Sequence, residues 1–353
     1  VSLREAEHAA MKRAVALARF GWPGVFPNPM VGAVILDPQG NTLSEAHHRC
    51  CGGPHAEVAA MEQASGALEG STLVVTLEPC VHHGRTPPCA EAIVASRMKR
   101  VVAAMEDPDP RVSGRGAAYL REHGVEVEIG LLENEARELN RVWIHCLNSH
   151  RSFLHLKMAV SLDGRAAASD GSSRWITGSA ARERVGKMRE TSHAVMVGAG
   201  TLLRDNPSLM TGLPGRSPVR IVVTGTTLPP ELTVYTDGGR TITALQEGCP
   251  WNPPGEVIRF NSLEGLLTMT LSMGIGLVLC EGGPRLATAM VNEGIVDRLS
   301  VFTAPKLLGG NGVPVFHDLW VKDIGSALTL EDASIEVLED NVLMEGRLVY
   351  RAD

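Results

Sequence analysis

Thr76-Leu77-Glu78-Pro79-Cys80-Val81-His82-His83-Gly84-Arg85-Thr86-Pro87-Pro88-Cys89, taken with His55-Ala56-Glu57 upstream, decides how the first half of this chain is read. One histidine and two cysteines supply three soft zinc ligands, and Glu57 is a carboxylate that the metal does not need. Zinc held by one imidazole and two thiolates keeps its fourth tetrahedral position for water, whose pKa falls to about 7 on the metal. A glutamate two residues from the histidine can then carry protons from that water to a ring and its leaving ammonia, which makes Glu57 the candidate catalytic residue. A structural zinc site would need a fourth protein ligand, and no obvious one stands in the sequence.

The pattern His-x-Glu with Pro-Cys-x-x-Cys is the signature of zinc deaminases. Here eight residues, Val81 to Pro88, lie between the cysteines. They bring two imidazoles, one guanidinium, a glycine and two prolines to the rim of the metal, a composition suited to a rigid loop that recognises an anionic group.

Around these residues the chain alternates between two periods. Apolar residues recur at helical spacing through 3–20, and strands are expected at 31–36 and 72–77 with a helix over 55–64 between them. That order puts His55 and Glu57 in the first turn of a helix and Cys80 just past a strand end, with a second helix beginning near Cys89. Helix amide ends facing the thiolates favour their negative charge. Further strand and helix units over 100–105, 114–123 and 125–129 complete an α/β layered reading. A polar stretch at 147–152 marks a boundary, which we set at 148/149. Beyond it strands are expected at 153–160, 193–197, 219–223, 276–279 and 299–303, and their spacing argues for a mostly parallel sheet with helices on its faces. Residues 226–270, rich in proline, glycine and threonine, give no clear period.

Composition narrows the function classes. A chain of 353 residues exceeds what one core usually fills, so two domains are expected. Residues 1–148 carry 14 basic and 18 acidic side chains, and the remainder carries 19 and 22, so neither half has the basic excess of a nucleic-acid binder. Aromatic residues are 4%, too few for stacking platforms on single strands. A small phosphorylated molecule is the better substrate class. No window reaches the roughly 18 apolar residues of a membrane span and the first 20 residues do not read as a signal peptide, so a cytoplasmic location is expected. The 7 cysteines form no regular framework, and no disulfides are expected; Cys50 and Cys51 read as ordinary loop residues.

The string from Thr76 to Cys89, together with Pro27-Asn28-Pro29-Met30-Val31-Gly32 and Ser161-Leu162-Asp163-Gly164-Arg165, closely resembles the bacterial bifunctional deaminase/reductase family of riboflavin biosynthesis. The resemblance covers nearly the whole chain. It implies a cytidine-deaminase-like α/β/α domain over 1–148 and a dihydrofolate-reductase-like α/β domain over 149–353. It implies zinc on His55, Cys80 and Cys89, and deamination of 2,5-diamino-6-ribosylamino-4(3H)-pyrimidinone 5′-phosphate held by Asn28, His48, His82, Arg85 and Asp107. Where the family has asparagine, Asp109 stands here. The second domain would then reduce the ribosyl group to ribityl with NADPH.

Three clusters carry that second expectation: Lys157 to Arg165 with Ser173 to Thr177, Val197 to Thr201 continuing to Asp205-Asn206-Pro207, and Cys280-Glu281-Gly282-Gly283-Pro284-Arg285. A glycine pair opening a helix lets backbone amides approach a phosphate. The dinucleotide fingerprint itself is broken, because Leu203 stands where its third glycine would fall. By resemblance Ala159, Trp175, Thr201, Asp205, Thr224, Gly283, Pro284 and Arg285 contact NADPH, while Ser173, Arg189, Leu209 and Glu281 hold the substrate. The stretch after Leu209 lacks the arginine that the family carries, with Arg216 as a substitute. A homo-oligomer with no nucleic-acid or membrane partner is expected. Two rival readings are a nucleoside or tRNA deaminase with an unrelated appendage, and a zinc-stabilised binding protein without turnover.

Overall fold

A computed structural model describes residues 2–64, 68–81, 88–110, 112–211 and 217–350. The chain divides into two compact units, Val1–Ser149 and His150–Asp353. Among the described residues no helix is long and apolar enough to cross a membrane.

The first unit runs α1 (Leu3–Ala18), β1 (Gly32–Leu36), β2 (Thr42–His47), α2 (Ala56–Gln63), β3 (Thr72–Val75), α3 (Cys89–Ala95), β4 (Arg100–Ala103), α4 (Arg115–Glu122), β5 (Glu126–Ile129), α5 (Glu133–Leu139) and α6 (Arg141–Ser149). Its described strands form one sheet of order β2-β1-β3-β4-β5, antiparallel at β1 and parallel from β3 onward. Strands β1 and β3 are buried at every residue, which matches their unbroken apolar runs and puts layers on both faces. Helix α1 lies against β1 so closely that a Cβ on Gly32 would fall 2.0 Å from the Ala14 carbonyl oxygen. Ser2 and Glu5 form a capping box that starts this helix, and Met11 and Ala14 are fully buried on its inner face. The β1–β2 turn is made by Asp37, whose Oδ1 accepts from the amides of Gln39 and Asn41, both at 2.8 Å. Strand β2, outside the expected set, buries only Ser44 and Ala46.

The second unit runs β6 (Phe153–Ser161), β7 (Arg165–Ala167), α7 (Ser179–Glu190), β8 (Ala194–Gly198), α8 (Ala199–Asp205), β9 (Val219–Thr224), α9 (Thr233–Thr236), β10 (Thr241–Gln246), β11 (Glu256–Phe260), α10 (Leu263–Ser272), β12 (Leu277–Cys280), α11 (Pro284–Asn292), β13 (Arg298–Ala304), β14 (Val313–Pro314), β15 (Thr329–Leu338) and β16 (Asn341–Val349). Its main described sheet has the order β11-β10-β9-β8-β12-β6-β13-β16-β15. Every pair from β11 to β13 is parallel, and the β15–β16 hairpin closes the far side antiparallel. The carboxyl ends of β6, β8, β9, β12 and β13 therefore share one edge, where open α/β sheets bind their ligands.

A buried ion pair stands near the amino end of β9. Arg220 on β9 is wholly buried; its guanidinium donates to both Asp237 oxygens at 2.6 Å and to the carbonyls of Ser208, Val234 and Gly239 at 3.1, 2.8 and 2.6 Å. The loop at Ser208 and the stretch from Val234 to Gly239 thus hang on one side chain. Asp237→Ala leaves the charge without its carboxylate and is expected to destabilise the second unit by about 3–5 kcal/mol. Hydrogen exchange along β9 and β10 in increasing denaturant reads the change, and a loss below about 1 kcal/mol would assign the support to the carbonyls alone.

Candidate active sites

In the first unit, Nδ1 of His55 lies 3.2 Å from Sγ of Cys89 and 3.6 Å from Sγ of Cys80, and the three donor atoms fall within 4.8 Å of one another. Tetrahedral zinc with these ligands separates its donors by about 3.6 Å, so the set fits one ion. Neither Cys50 nor Cys51, both exposed, belongs to it. His55 is the residue before α2, Cys80 follows β3, and Cys89 opens α3. Neither helix has a side-chain cap, because the imidazole of His55 is turned toward sulfur and Pro88 precedes Cys89. The Cys80 sulfur instead accepts from the Cys89 amide at 3.5 Å.

These donors polarise one another. The Cys89 thiol, donating to Cys80, holds the Cys80 thiol down to about 4 against the cost of burial, with His55 assisting. Cys89 is pushed up by giving that hydrogen bond and by its own burial. Glu57, in the first turn of α2, is 4% exposed; burial, then the neighbouring Cys80 charge, raises its carboxyl above the ordinary value.

These groups open on a cavity of about 300 Å³. Asn28, His48 and Asp107 line it, as do Glu78, Asp109, Trp143 and Leu147. His48 is buried, which lowers its imidazole; Nδ1 donates to the Pro54 carbonyl at 2.9 Å. Nε2 then keeps its lone pair and accepts from Nδ2 of Asn28 at 3.1 Å, which fixes the orientation of the Asn28 amide. Oδ1 of Asp107 accepts a hydrogen bond from the Asp109 backbone amide at 2.9 Å. His82 and Arg85 lie outside the described residues. Sequence reasoning missed Trp143 and Leu147, whose only signal is the amphipathic last helix of this unit.

In the second unit Glu281 and Arg189 meet directly, Nε to Oε1 at 2.5 Å and Nη2 to Oε2 at 2.9 Å. Lys157 on β6, which opens the first of the three clusters but was given no role of its own there, approaches the same carboxylate at 3.6 Å. Burial works to raise the Glu281 carboxyl, but Lys157 and Arg189 outweigh it and the net shift is downward. Thr201 on α8 faces Gly283 before α11: a Cβ on Gly283 would stand 3.4 Å from the threonine hydroxyl. Pro284 occupies the first turn of α11 and Arg285 beside it is exposed.

Asp205 pairs with Arg174, and the next residue, Trp175, is 62% exposed with the Arg182 guanidinium 4.7 Å from its ring centroid. Ala159 pairs with Phe302 across β6 and β13. The Thr224 hydroxyl is occupied locally by Thr226. The Ser173 carbonyl accepts from the Ile176 amide at 3.0 Å. Leu209 differs from the rest, for its side chain is 3% exposed within the apolar core, leaving backbone as its means of meeting a ligand. Of the residues after it, 212–216 are outside those described.

Comparisons with known proteins agree with this division. Residues 4–105 match the cytidine and deoxycytidylate deaminase zinc-binding region, and residues 152–344 match the RibD C-terminal domain. The riboflavin biosynthesis protein RibD of Aquifex aeolicus is 37% identical over 361 residues, covering 97% of this chain and 98% of that protein. RibD of Escherichia coli is 37% identical over 324 residues, covering 85% and 88%. Among solved structures, a diaminohydroxyphosphoribosylaminopyrimidine deaminase/5-amino-6-(5-phosphoribosylamino)uracil reductase from Thermotoga maritima superposes with a TM-score of 0.87 at 37% identity, covering 97% of this chain and 99% of that one. Acinetobacter baumannii RibD superposes with a TM-score of 0.88 at 33% identity, covering 99% and 100%. Matches of this extent embrace both units, and the chain belongs to the RibD family of bifunctional deaminase/reductases of riboflavin biosynthesis.

Proposed function

We propose that the first unit hydrolytically deaminates 2,5-diamino-6-ribosylamino-4(3H)-pyrimidinone 5′-phosphate and that the second reduces the ribosyl group of the product to ribityl with NADPH. The observation that carries the first step is the meeting of His55, Cys80 and Cys89 within 4.8 Å beside buried Glu57, at a cavity that Asn28, His48 and Asp107 also line. The three donors suit zinc, which when bound supplies a water acidic enough to act as nucleophile at neutral pH. Glu57 takes one proton from the attacking water and passes it to the ring nitrogen, then takes the remaining proton of the added hydroxyl and gives it to the departing amine, so that water enters and ammonia leaves. Asn28, its amide held by His48, and Asp107 orient the pyrimidine edge. His82 and Arg85 are assigned to substrate by family resemblance, with Arg85 on the phosphate.

The reduction is supported by the charged and glycine-bearing residues gathered at the carboxyl edge of the parallel strands. Gly283, with no side chain between it and Thr201, and the start of α11 suit a dinucleotide phosphate, and Trp175 and Asp205 are assigned to the cofactor by family resemblance. NADPH supplies hydride; Arg189 and Glu281 hold the sugar phosphate substrate. The choice of NADPH rests on the family.

Glu57→Gln is expected to retain one zinc per chain and to release ammonia about 100-fold more slowly or worse. Metal analysis beside an ammonia assay measures both, and near-normal deamination would remove Glu57 from the mechanism. Arg85→Ala is expected to impair the phosphorylated substrate by about 10-fold or more and to spare its dephosphorylated analogue; equal losses would make Arg85 a loop support. In the second unit, Glu281→Ala strips the carboxylate from between Arg189 and Lys157. With the deaminated product supplied, NADPH oxidation should fall at least 10-fold while ammonia release from the first substrate stays unchanged. Loss of ammonia release as well would contradict the assignment of Glu281 to the reductive step.

A further inference from the structure

Glu78 is a buried carboxylate, 3% exposed, that borders the cavity and has no part in the steps above. Its acceptors are filled by backbone amides: Oε2 accepts from Asp107 at 3.1 Å and Gly114 at 3.0 Å, and Oε1 accepts from Ala117 at 3.0 Å. Gly114 and Ala117 belong to the start of α4, so Glu78 caps that helix from a distant point in sequence. An independent contact joins the same two segments, since a Cβ on Gly116 would lie 2.0 Å from the Pro79 carbonyl oxygen. The amide of Glu78 also donates to the Met105 carbonyl at 3.0 Å. Segment 78–80, which delivers Cys80, is thereby fastened to segment 105–117, which delivers Asp107.

We infer that Glu78 is a positioning residue of the deaminase site, its carboxylate setting the backbone that presents Asp107 to the substrate. The inference rests on the deaminase reading for its kinetic consequence. A carboxylate is required because three N–H donors converge on two oxygens. Glutamine offers one oxygen, and its NH₂ must oppose either the Ala117 amide or the pair from Asp107 and Gly114. An unmatched buried donor is costly enough to displace the loop.

The test compares Glu78→Gln, Asp107→Ala and the double variant in the full, zinc-loaded chain. Glu78→Gln should keep its zinc, raise KM for the diaminopyrimidinone phosphate about tenfold and change kcat less than about threefold. In the Asp107→Ala background the same substitution should add almost nothing to KM, because the group it positions is gone. Loss of zinc, a fall in kcat at constant KM, or additive KM effects would overturn the inference. Hydrogen exchange at the amides of 107, 114 and 117 gives a reading independent of turnover: faster exchange in Glu78→Gln supports the clamp, and unchanged exchange refutes it. If the wild-type chain releases no ammonia from this compound, the functional reading fails while the exchange result still decides the role of Glu78. Glu78→Asp keeps both oxygens on a shorter arm and carries the same comparison if the glutamine variant does not fold.

Discussion

One imidazole and two thiols must come within reach of a single ion, and the first unit is organised around that requirement. The donors arise at three element ends: before α2, after β3 and at the start of α3. Such ends are brought together only if β1 and β3 are central, with helices laid over a sheet buried at every residue of both strands. Close packing supplies the precision. The approach of α1 to Gly32 fixes one side of the sheet, and the contact of Pro79 with Gly116 fixes the segment that carries Cys80.

The second unit answers a different demand, that of holding a cluster of charged side chains in place. Arg220 on β9 is wholly buried and ties two segments together, one of them leading to Leu209 and Met210. Arg189 then reaches both Glu281 and, at 3.4 Å, the Met210 carbonyl. A buried carboxylate between two cations would be expensive to leave unpaired, so the cluster is kept in place by the cost of disrupting it. Parallel pairing of β12 with β6 and β8 sets Glu281 one residue past the end of β12, within 3.6 Å of Lys157. The antiparallel β15–β16 hairpin lies on the far side of the sheet.

Metal chemistry restricts residue type, which is why His55, Glu57, Cys80 and Cys89 could be picked out before any geometry was known. The α/β alternation was legible for similar reasons: 31–36 and 72–77 are apolar runs, and they overlap β1 and β3. Strand β2 was not, since its inward residues are only Ser44 and Ala46. In the unread region 226–270, α10 does announce itself, for Ser262 caps it by accepting from the Gly265 amide at 3.1 Å. Strand β15 is exposed almost throughout, so no burial period marks it. Glu78 was visible as a residue but not as a clamp: its partners are backbone amides, which every residue type but proline offers.

The missing side-chain caps on α2 and α3 give the metal a second task. A helix that begins without a capping side chain forfeits about 1 kcal/mol and tends to fray through its first turn. In α2 that turn carries Glu57, and in α3 it carries Cys89. An ion joining His55 to the two sulfurs would do the work of the absent caps, tying both helix starts to the end of β3. Metal binding and local folding are then one equilibrium. Stripping such an ion would remove the nucleophile and at the same time loosen the turn that carries Glu57.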